Sequence, residues 1–139
     1  MPNLKQNQGL MEEVLKNSRV IAVVGYSDNP RRTSYSIGQF LEKVGYTVYP
    51  VNPTVKEING KVSYPSLKDV PEAIDIVNVF RRPEYLPEIV EEAIAVNAKT
   101  FWAQLGIYSE VAKKRALEAG LNVIMDACIK IEWFRFQSF

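Results

Sequence analysis

The most informative absence from this sequence is histidine, since none of its 139 residues is one. Without an imidazole, neither Ser-His-Asp nor Cys-His nucleophilic catalysis is available. Zinc sites that use histidine are excluded as well, and the single cysteine, Cys128, supplies neither a thiolate cage nor an internal disulfide. The sequence therefore argues against a hydrolase or a zinc enzyme, and acid–base chemistry is left to Asp, Glu, Lys or Tyr.

An excess of charge is also lacking. The chain has 17 basic and 16 acidic residues, for a net charge of +1, whereas nucleic-acid binders carry a basic surplus. No run approaches the roughly 20 apolar residues of a membrane span, and the first residues lack the pattern of a secretory signal. We therefore expect a cytoplasmic protein that binds neither nucleic acid nor membrane, and the lone thiol fits a reducing compartment.

The length and composition that are present indicate one globular domain. A chain of 139 residues with 47% hydrophobic and 24% charged side chains suits a single packed core. Residues 1–8 are predicted to be a flexible tail, and residues 9–139 are predicted to form the domain.

Apolar periodicity predicts alternating strands and helices. Five largely apolar segments are predicted to be strands, at residues 19–25, 46–51, 74–80, 100–103 and 121–125; the first is a continuous apolar run, typical of a strand buried on both faces. Helical spacing or helix-start signals mark residues 10–17, 34–44, 83–97 and 109–119, with a short amphipathic tail at 129–136 and an extended piece at 60–65. The predicted fold is α/β: a single-domain, doubly wound, mostly parallel five-stranded Rossmann-like sheet with helices on both faces. A nucleotide-sized ligand would lie beyond the carboxyl ends of its strands.

The segment after the first strand has the features of a pyrophosphate site. Gly25 lets the backbone turn and a ligand approach closely, and the helix start near Ser34 offers free N–H groups. Hydroxyl groups, Arg31 and Arg32 surround it. An ordinary β–α loop with a capped helix is an equally good interpretation. The G-x-G-x-x-G and Walker patterns are absent, which disfavours ordinary NAD or FAD binding.

Polar or rigid residues follow the other strands too, and each has a structural alternative. The prolines around Asn52 could simply form a rigid turn, and the arginines at 81–82 could be solvated charges. Cys128 is more typical of a small buried hydrophobic residue than of a reactive thiol, and Asp126 could cap the last helix.

Six segments taken together resemble a known family. They are residues 23–30, 48–53, 57–60, 75–81, 102–106 and 125–128. In this order they resemble the small stand-alone CoA-binding proteins, whose fold is shared with the nucleotide-binding domain of the succinyl-CoA synthetase α subunit.

The resemblance implies coenzyme A, or an acyl-CoA, as the ligand, and it implies the site residues. The pyrophosphate would be held by the loop with Gly25, Tyr26, Ser27, Arg31, Arg32, Ser34 and Tyr35. The adenosine would be flanked by Pro50, Val51, Asn52 and Pro53, and its 3′-phosphate approached by Lys56. The groove would be lined by Val79, Phe80 and Arg81, with Gln104 and Gly106 on the pantetheine side.

The sequence departs from the family pattern at two positions. We expect a small residue where Tyr26 stands, so its ring would narrow the groove beside the phosphates. An arginine is frequent where Ala127 stands, and without that charge the neighbouring Cys128 thiol is less activated.

Three functional hypotheses remain open. The first is non-catalytic binding of CoA, in a carrier, buffer or sensor role. The second is a subunit of an acyl-CoA ligase or transferase that uses Asp126 or Glu132. The third is a redox role in which Cys128 forms a mixed disulfide with CoA. A homodimer contact is predicted from the aromatic tail, whose members are Trp133, Phe134, Phe136 and Phe139.

Overall fold

Each of the five largely apolar segments forms a strand. The computed structural model describes residues 4–137. Its strands are β1 (Val20–Val24), β2 (Thr47–Val51), β3 (Glu57–Ile58), β4 (Lys61–Val62), β5 (Ile76–Val79), β6 (Thr100–Ala103) and β7 (Asn122–Ile124). Its helices are α1 (Leu4–Asn17), α2 (Thr33–Lys43), α3 (Leu86–Ala95), α4 (Glu110–Glu118) and α5 (Ile129–Arg135), with single 3-10 turns at Leu67–Asp69 and Pro83–Tyr85.

The main sheet has five parallel strands in the order β2-β1-β5-β6-β7. From β1 the chain crosses to β2 on one side and later returns to β5 on the other. This reversal creates a topological switch point at the carboxyl ends of β1 and β5, where doubly wound folds bind their ligands. The predicted fold class is confirmed.

Helices cover both faces of the sheet and enclose two apolar layers. Helices α1, α2 and α5 pack on the face that contains Ile21, Ile76 and Trp102. Helices α3 and α4 pack on the opposite face, against Val77 and Phe101. Because both faces are covered, the strands are mostly apolar, which is why they stand out in the sequence.

The amino end of the sheet is held by one carboxylate. Asp75 Oδ2 accepts hydrogen bonds from the Arg19 N–H (2.9 Å) and the Val20 N–H (3.0 Å), and Lys99 Nζ lies 3.4 Å from its Oδ1. Burial raises the pKa of this carboxyl, but the two amide bonds and Lys99 outweigh it, so the pKa lies below its ordinary value. Asp75 therefore stabilises the start of β1 in its charged form.

The outer edge of strand β2 is covered by the β3–β4 hairpin and by Tyr64, which follows it. Lys61 Nζ donates to the Val48 carbonyl oxygen (2.9 Å) and pairs with Glu42, while the Tyr64 N–H donates to the Pro50 carbonyl oxygen (2.9 Å). Pro50 itself has no N–H. The outward carbonyls of this edge are thus occupied without another strand.

Three predicted boundaries differ from the structure. The extended piece at 60–65 is replaced by the antiparallel pair β3–β4, which turns at the left-handed Asn59 and Gly60. The helix predicted from residue 83 begins as a 3-10 turn, because Pro87 has no N–H to donate to the Pro83 carbonyl. Helix α1 begins at Leu4, so residues 4–8 of the predicted tail are helical, and residues 1–3 lie outside the described residues.

Within residues 4–137, no helix has the length and apolar character required to cross a membrane.

Candidate functional site

A pocket lies at the switch point, between the end of β1 and the start of α2. Its volume is about 430 Å³, and its lining consists of Gly25, Ser27, Arg31, Arg32, Thr33, Ser34 and Phe80. Six of these residues were predicted from the sequence as ligand-binding. Thr33 was missed, although it directly precedes a predicted helix start.

Helix α2 directs unsatisfied backbone donors at this pocket. Its N-cap, Arg32, makes no side-chain capping bond, and its first turn has no acidic residue. The first N–H groups of an α-helix have no intrahelical acceptor, and they carry part of the positive end of the helix dipole. Together with two exposed arginines, they make the pocket suited to an anion with several oxygens.

Two hydroxyl groups are held as further donors. The Ser27 N–H donates to Ser34 Oγ (3.0 Å), and the Asn29 N–H donates to Ser27 Oγ (3.0 Å). Each oxygen thus uses a lone pair inside the loop, which leaves its hydroxyl proton free to donate outward. Asn29 also stabilises the loop, because its Oδ1 accepts a hydrogen bond from the Arg31 N–H (3.0 Å).

Gly25 joins this pocket to the neighbouring strand. Its φ is +87°, and a Cβ there would lie 3.0 Å from the Phe80 carbonyl oxygen and 3.2 Å from Arg81 Cδ. The position therefore requires glycine both for its left-handed backbone and for the close approach of β5.

A second cavity, of about 220 Å³, lies on the α3 side of the sheet, at the carboxyl ends of the same two strands. Its lining consists of Val24, Val51, Pro53, Pro65, Arg81, Tyr85, Glu88, Ile89 and Glu92. Val51, Pro53 and Arg81 were predicted as ligand-binding. The residues of α3 and the turn before it were missed, because nothing in their local sequence distinguishes them from an ordinary amphipathic helix.

Tyr26 does not narrow the groove, contrary to the sequence prediction. Its side chain is only 3% exposed and lies against α2, where Gln39 Nε2 donates to its hydroxyl (2.7 Å). The ring fits because residue 38 is glycine, and burial raises the pKa of the Tyr26 hydroxyl. Only its backbone is near the pocket, with the Tyr26 carbonyl oxygen accepting from Asn52 Nδ2 (2.9 Å).

Three other predicted residues face the interior. Val79 is fully buried in the core beneath α3. Pro50 is buried in the middle of β2 and lines a separate cavity on the strand's outer edge. Gln104 is 4% exposed, and its Oε1 accepts from the Ile129 N–H (3.3 Å) and Asn78 Nδ2 (3.4 Å). They were assigned by position in a motif, which does not reveal the direction of a side chain.

The remaining predicted residues lie at the rim or outside both cavities. Asn52 Oδ1 accepts from the Thr54 N–H (3.0 Å), so its side chain organises its own loop. Tyr35 accepts a bond from Asn59 Nδ2 (2.7 Å). Lys56 is exposed and lines neither cavity.

The candidate acid–base residues are engaged internally. Asp126 is left-handed (φ 59°), and its Oδ1 accepts from the Gly106 N–H (2.7 Å), which ties two loops at the carboxyl edge. Glu132 is 4% exposed, and its Oε1 lies 2.9 Å from Arg135 Nε. Cys128 is half-buried at the N-cap of α5.

Comparison with known proteins assigns this architecture to a family. The profile of the CoA binding domain matches residues 19–133. The chain belongs to the CoA binding domain family. The CoA-binding-domain chain is 47% identical over 121 residues to the protein YneT of Bacillus subtilis, a match that covers 87% of this chain and 90% of that protein.

The same domain occurs in larger enzymes. The chain is 31% identical over 126 residues to the α subunit of the ADP-forming acetate–CoA ligase II of Pyrococcus furiosus. This match covers 83% of the chain but only 28% of the ligase subunit. The predicted relationship to the CoA-binding domain of a ligase α subunit is thereby confirmed. Most of the ligase subunit has no counterpart in this chain.

Solved structures agree with the fold. A protein from Pyrococcus horikoshii superposes with a TM-score of 0.90 at 38% identity, covering 93% of this chain and 91% of that one. A protein from Thermus thermophilus superposes with a TM-score of 0.89 at 33% identity, covering 94% and 99% respectively.

Proposed function

We propose that this CoA-binding-domain chain binds coenzyme A or an acyl-CoA, in a carrier, buffer or sensor role, without catalysing a reaction itself. The observation that carries the proposal is the pocket at the start of α2. Free helix amides, two hydroxyl donors and two arginines converge there on a space suited to a diphosphate. The family match supports CoA as the source of that diphosphate.

The two cavities at the carboxyl ends of β1 and β5 suit the two ends of a nucleoside diphosphate. The diphosphate would lie against Ser27, Ser34 and the α2 amides, and the adenosine would extend past Gly25 toward Pro53. Near the carboxyl edge, Asp126 is already hydrogen-bonded within the protein, and Glu132 is buried and ion-paired with Arg135, which favours binding over acid–base chemistry.

Calorimetric titration with CoA tests this proposal. We expect a saturable isotherm with CoA, weaker binding of AMP, and a loss of affinity in Arg32→Ala, because the diphosphate would lose a charged donor worth about ten-fold in affinity. A ligand at a hundredfold excess over its Kd should also stabilise the fold by about 2.7 kcal/mol in thermal unfolding.

Lys114→Ala is the matched control, since it removes the same charge from exposed α4. It should bind CoA like the unaltered chain. Absence of binding at millimolar CoA, or equal losses in both variants, would refute the proposal.

A role as a ligase subunit is the second candidate, and the identity to the P. furiosus ligase subunit favours it. Because the chain covers only 28% of that subunit, the reacting groups would have to come from another chain. Formation of acetyl-CoA from acetate, CoA and ATP by this chain together with a ligase chain that supplies the reacting groups, and not by that ligase chain alone, would replace the non-catalytic proposal with this one.

The predicted homodimer also stays a proposal. Trp133 and Phe134 pack edge-on with ring centroids 5.1 Å apart. Phe134 is 49% exposed, whereas Phe139 lies outside the described residues. Sedimentation analysis of the pure chain would show a dimer if this aromatic face joins two copies.

A further inference from the structure

The cavity on the α3 side of the sheet combines flat apolar walls with a carboxylate. Val51, Pro53 and Pro65 form its apolar side, and the Arg81 guanidinium lies over the Tyr85 ring, 4.6 Å from its centroid. A planar heterocycle gains from both surfaces, since it packs on apolar groups and stacks on a guanidinium plane.

This cavity and the pocket at the start of α2 both lie at the carboxyl ends of β1 and β5, where they are lined by consecutive residues of the chain. Val24 and Arg81 line this cavity, whereas their neighbours in the chain, Gly25 and Phe80, line the pocket at the start of α2. A ligand whose diphosphate lies at α2 would reach this cavity with its nucleoside by passing over the ends of these two strands, and α3 would then face the base.

Two acidic side chains of α3 line the cavity, and they differ in what they already bind. Glu92 Oε1 accepts from the Leu67 N–H (3.3 Å), so this carboxylate supports the 3-10 turn beside it. Glu88 is exposed in the first turn of α3, and within residues 4–137 its carboxylate has no ion-pair or hydrogen-bond partner. Its two oxygens are acceptors only.

We propose that Glu88 is a specificity-determining residue that selects adenine by accepting a hydrogen bond from its exocyclic amino group. This inference rests on the proposed function, because it assumes that the nucleoside of CoA enters the cavity. A base with a carbonyl oxygen at the same ring position would place an acceptor against the carboxylate, and its neighbouring ring N–H could donate to Glu88 only if the base shifted within the cavity. Discrimination through a charged hydrogen-bonding group of this kind is about ten-fold or more.

The test compares CoA with its hypoxanthine analogue, in which a carbonyl oxygen replaces the amino group. Calorimetry should give at least about ten-fold tighter binding of CoA by the unaltered chain. In Glu88→Gln the ratio should fall to within about three-fold, because the amide can donate to the carbonyl or accept from the amine. The ratio is the readout, since removing a negative charge raises the affinity for both polyanions alike.

Glu91→Gln is the matched control. It removes the same charge from the same helix, on the side where Glu91 pairs with Arg115 (2.7 Å), so it should retain the full ratio. An unchanged ratio in Glu88→Gln, or an equal fall in Glu91→Gln, overturns the role of Glu88. If CoA and its analogue bind the unaltered chain equally well, the inference is wrong while the proposed function stands. If neither binds at millimolar concentration, the proposed function fails first.

Discussion

Gly38 and Tyr26 pack so closely that the effect of Gly38→Ala on the free energy of unfolding should change sign with the residue at position 26. A Cβ at Gly38 would lie 2.2 Å from Tyr26 Cε2, 2.4 Å from Cζ and 2.7 Å from the hydroxyl oxygen. The ring has little room to yield, because it is buried and held by Gln39 and by edge-on contact with Tyr35. Alanine in a helix interior is otherwise favoured over glycine by about 1 kcal/mol.

We expect Gly38→Ala to destabilise the unaltered chain, since overpacking costs about 1–3 kcal/mol and outweighs the gain in helix propensity. In a Tyr26→Leu background the same substitution should stabilise by up to about 1 kcal/mol, because leucine lacks the three colliding atoms. The interaction free energy between the two positions should therefore be about 1–3 kcal/mol.

Urea unfolding of the four proteins, followed by circular dichroism, measures this double-mutant cycle. Tyr26→Phe is the control, since it keeps the ring and should preserve the destabilisation. Equal effects of Gly38→Ala in the tyrosine and leucine backgrounds would show that Tyr26 does not fill the space at Gly38.

Two further predictions concern the sheet. Asp75→Ala should lower the free energy of unfolding at pH 7 by about 1–3 kcal/mol, because the Arg19 and Val20 amides lose their acceptor. Since the folded pKa of Asp75 is depressed, its contribution is complete above the ordinary carboxyl pKa and is lost as the pH falls through the folded value. Urea unfolding between pH 7 and pH 2 should show the two proteins converging in acid, and a constant difference would contradict this account. Lys61→Ala should change stability by less than about 1 kcal/mol yet increase self-association in light scattering, because the Val48 carbonyl on the β2 edge becomes available. Lys43→Ala is its control, and equal association of both variants would exclude edge protection by Lys61.

The sequence was sufficient to predict the sheet, and the edge at which the candidate pocket lies, because the relevant signals are local. The apolar run of β1 and the cap at Ser109, whose Oγ accepts from the Ala112 N–H (3.2 Å), are each readable within a few residues. Parallel strands bring their carboxyl ends to one edge, so the residues that follow them meet there.

The direction of individual side chains could not be read in this way. Tyr26 turns inward because a glycine twelve residues later leaves space for its ring. Gln104 turns inward because the start of α5, 25 residues later, offers it a donor. Such choices depend on tertiary contacts between distant positions, and a motif match carries no information about them.

The bonds within the loop that follows β1 have a consequence for how a ligand would arrive. Ser27, Asn29 and Ser34 hold this loop by hydrogen bonds whose donors and acceptors both lie within the loop. An anion would meet donors that are already in place, and little conformational entropy would be lost in ordering them. The rate of association would then be governed by diffusion and by attraction to Arg31 and Arg32, and not by a slow rearrangement of the backbone.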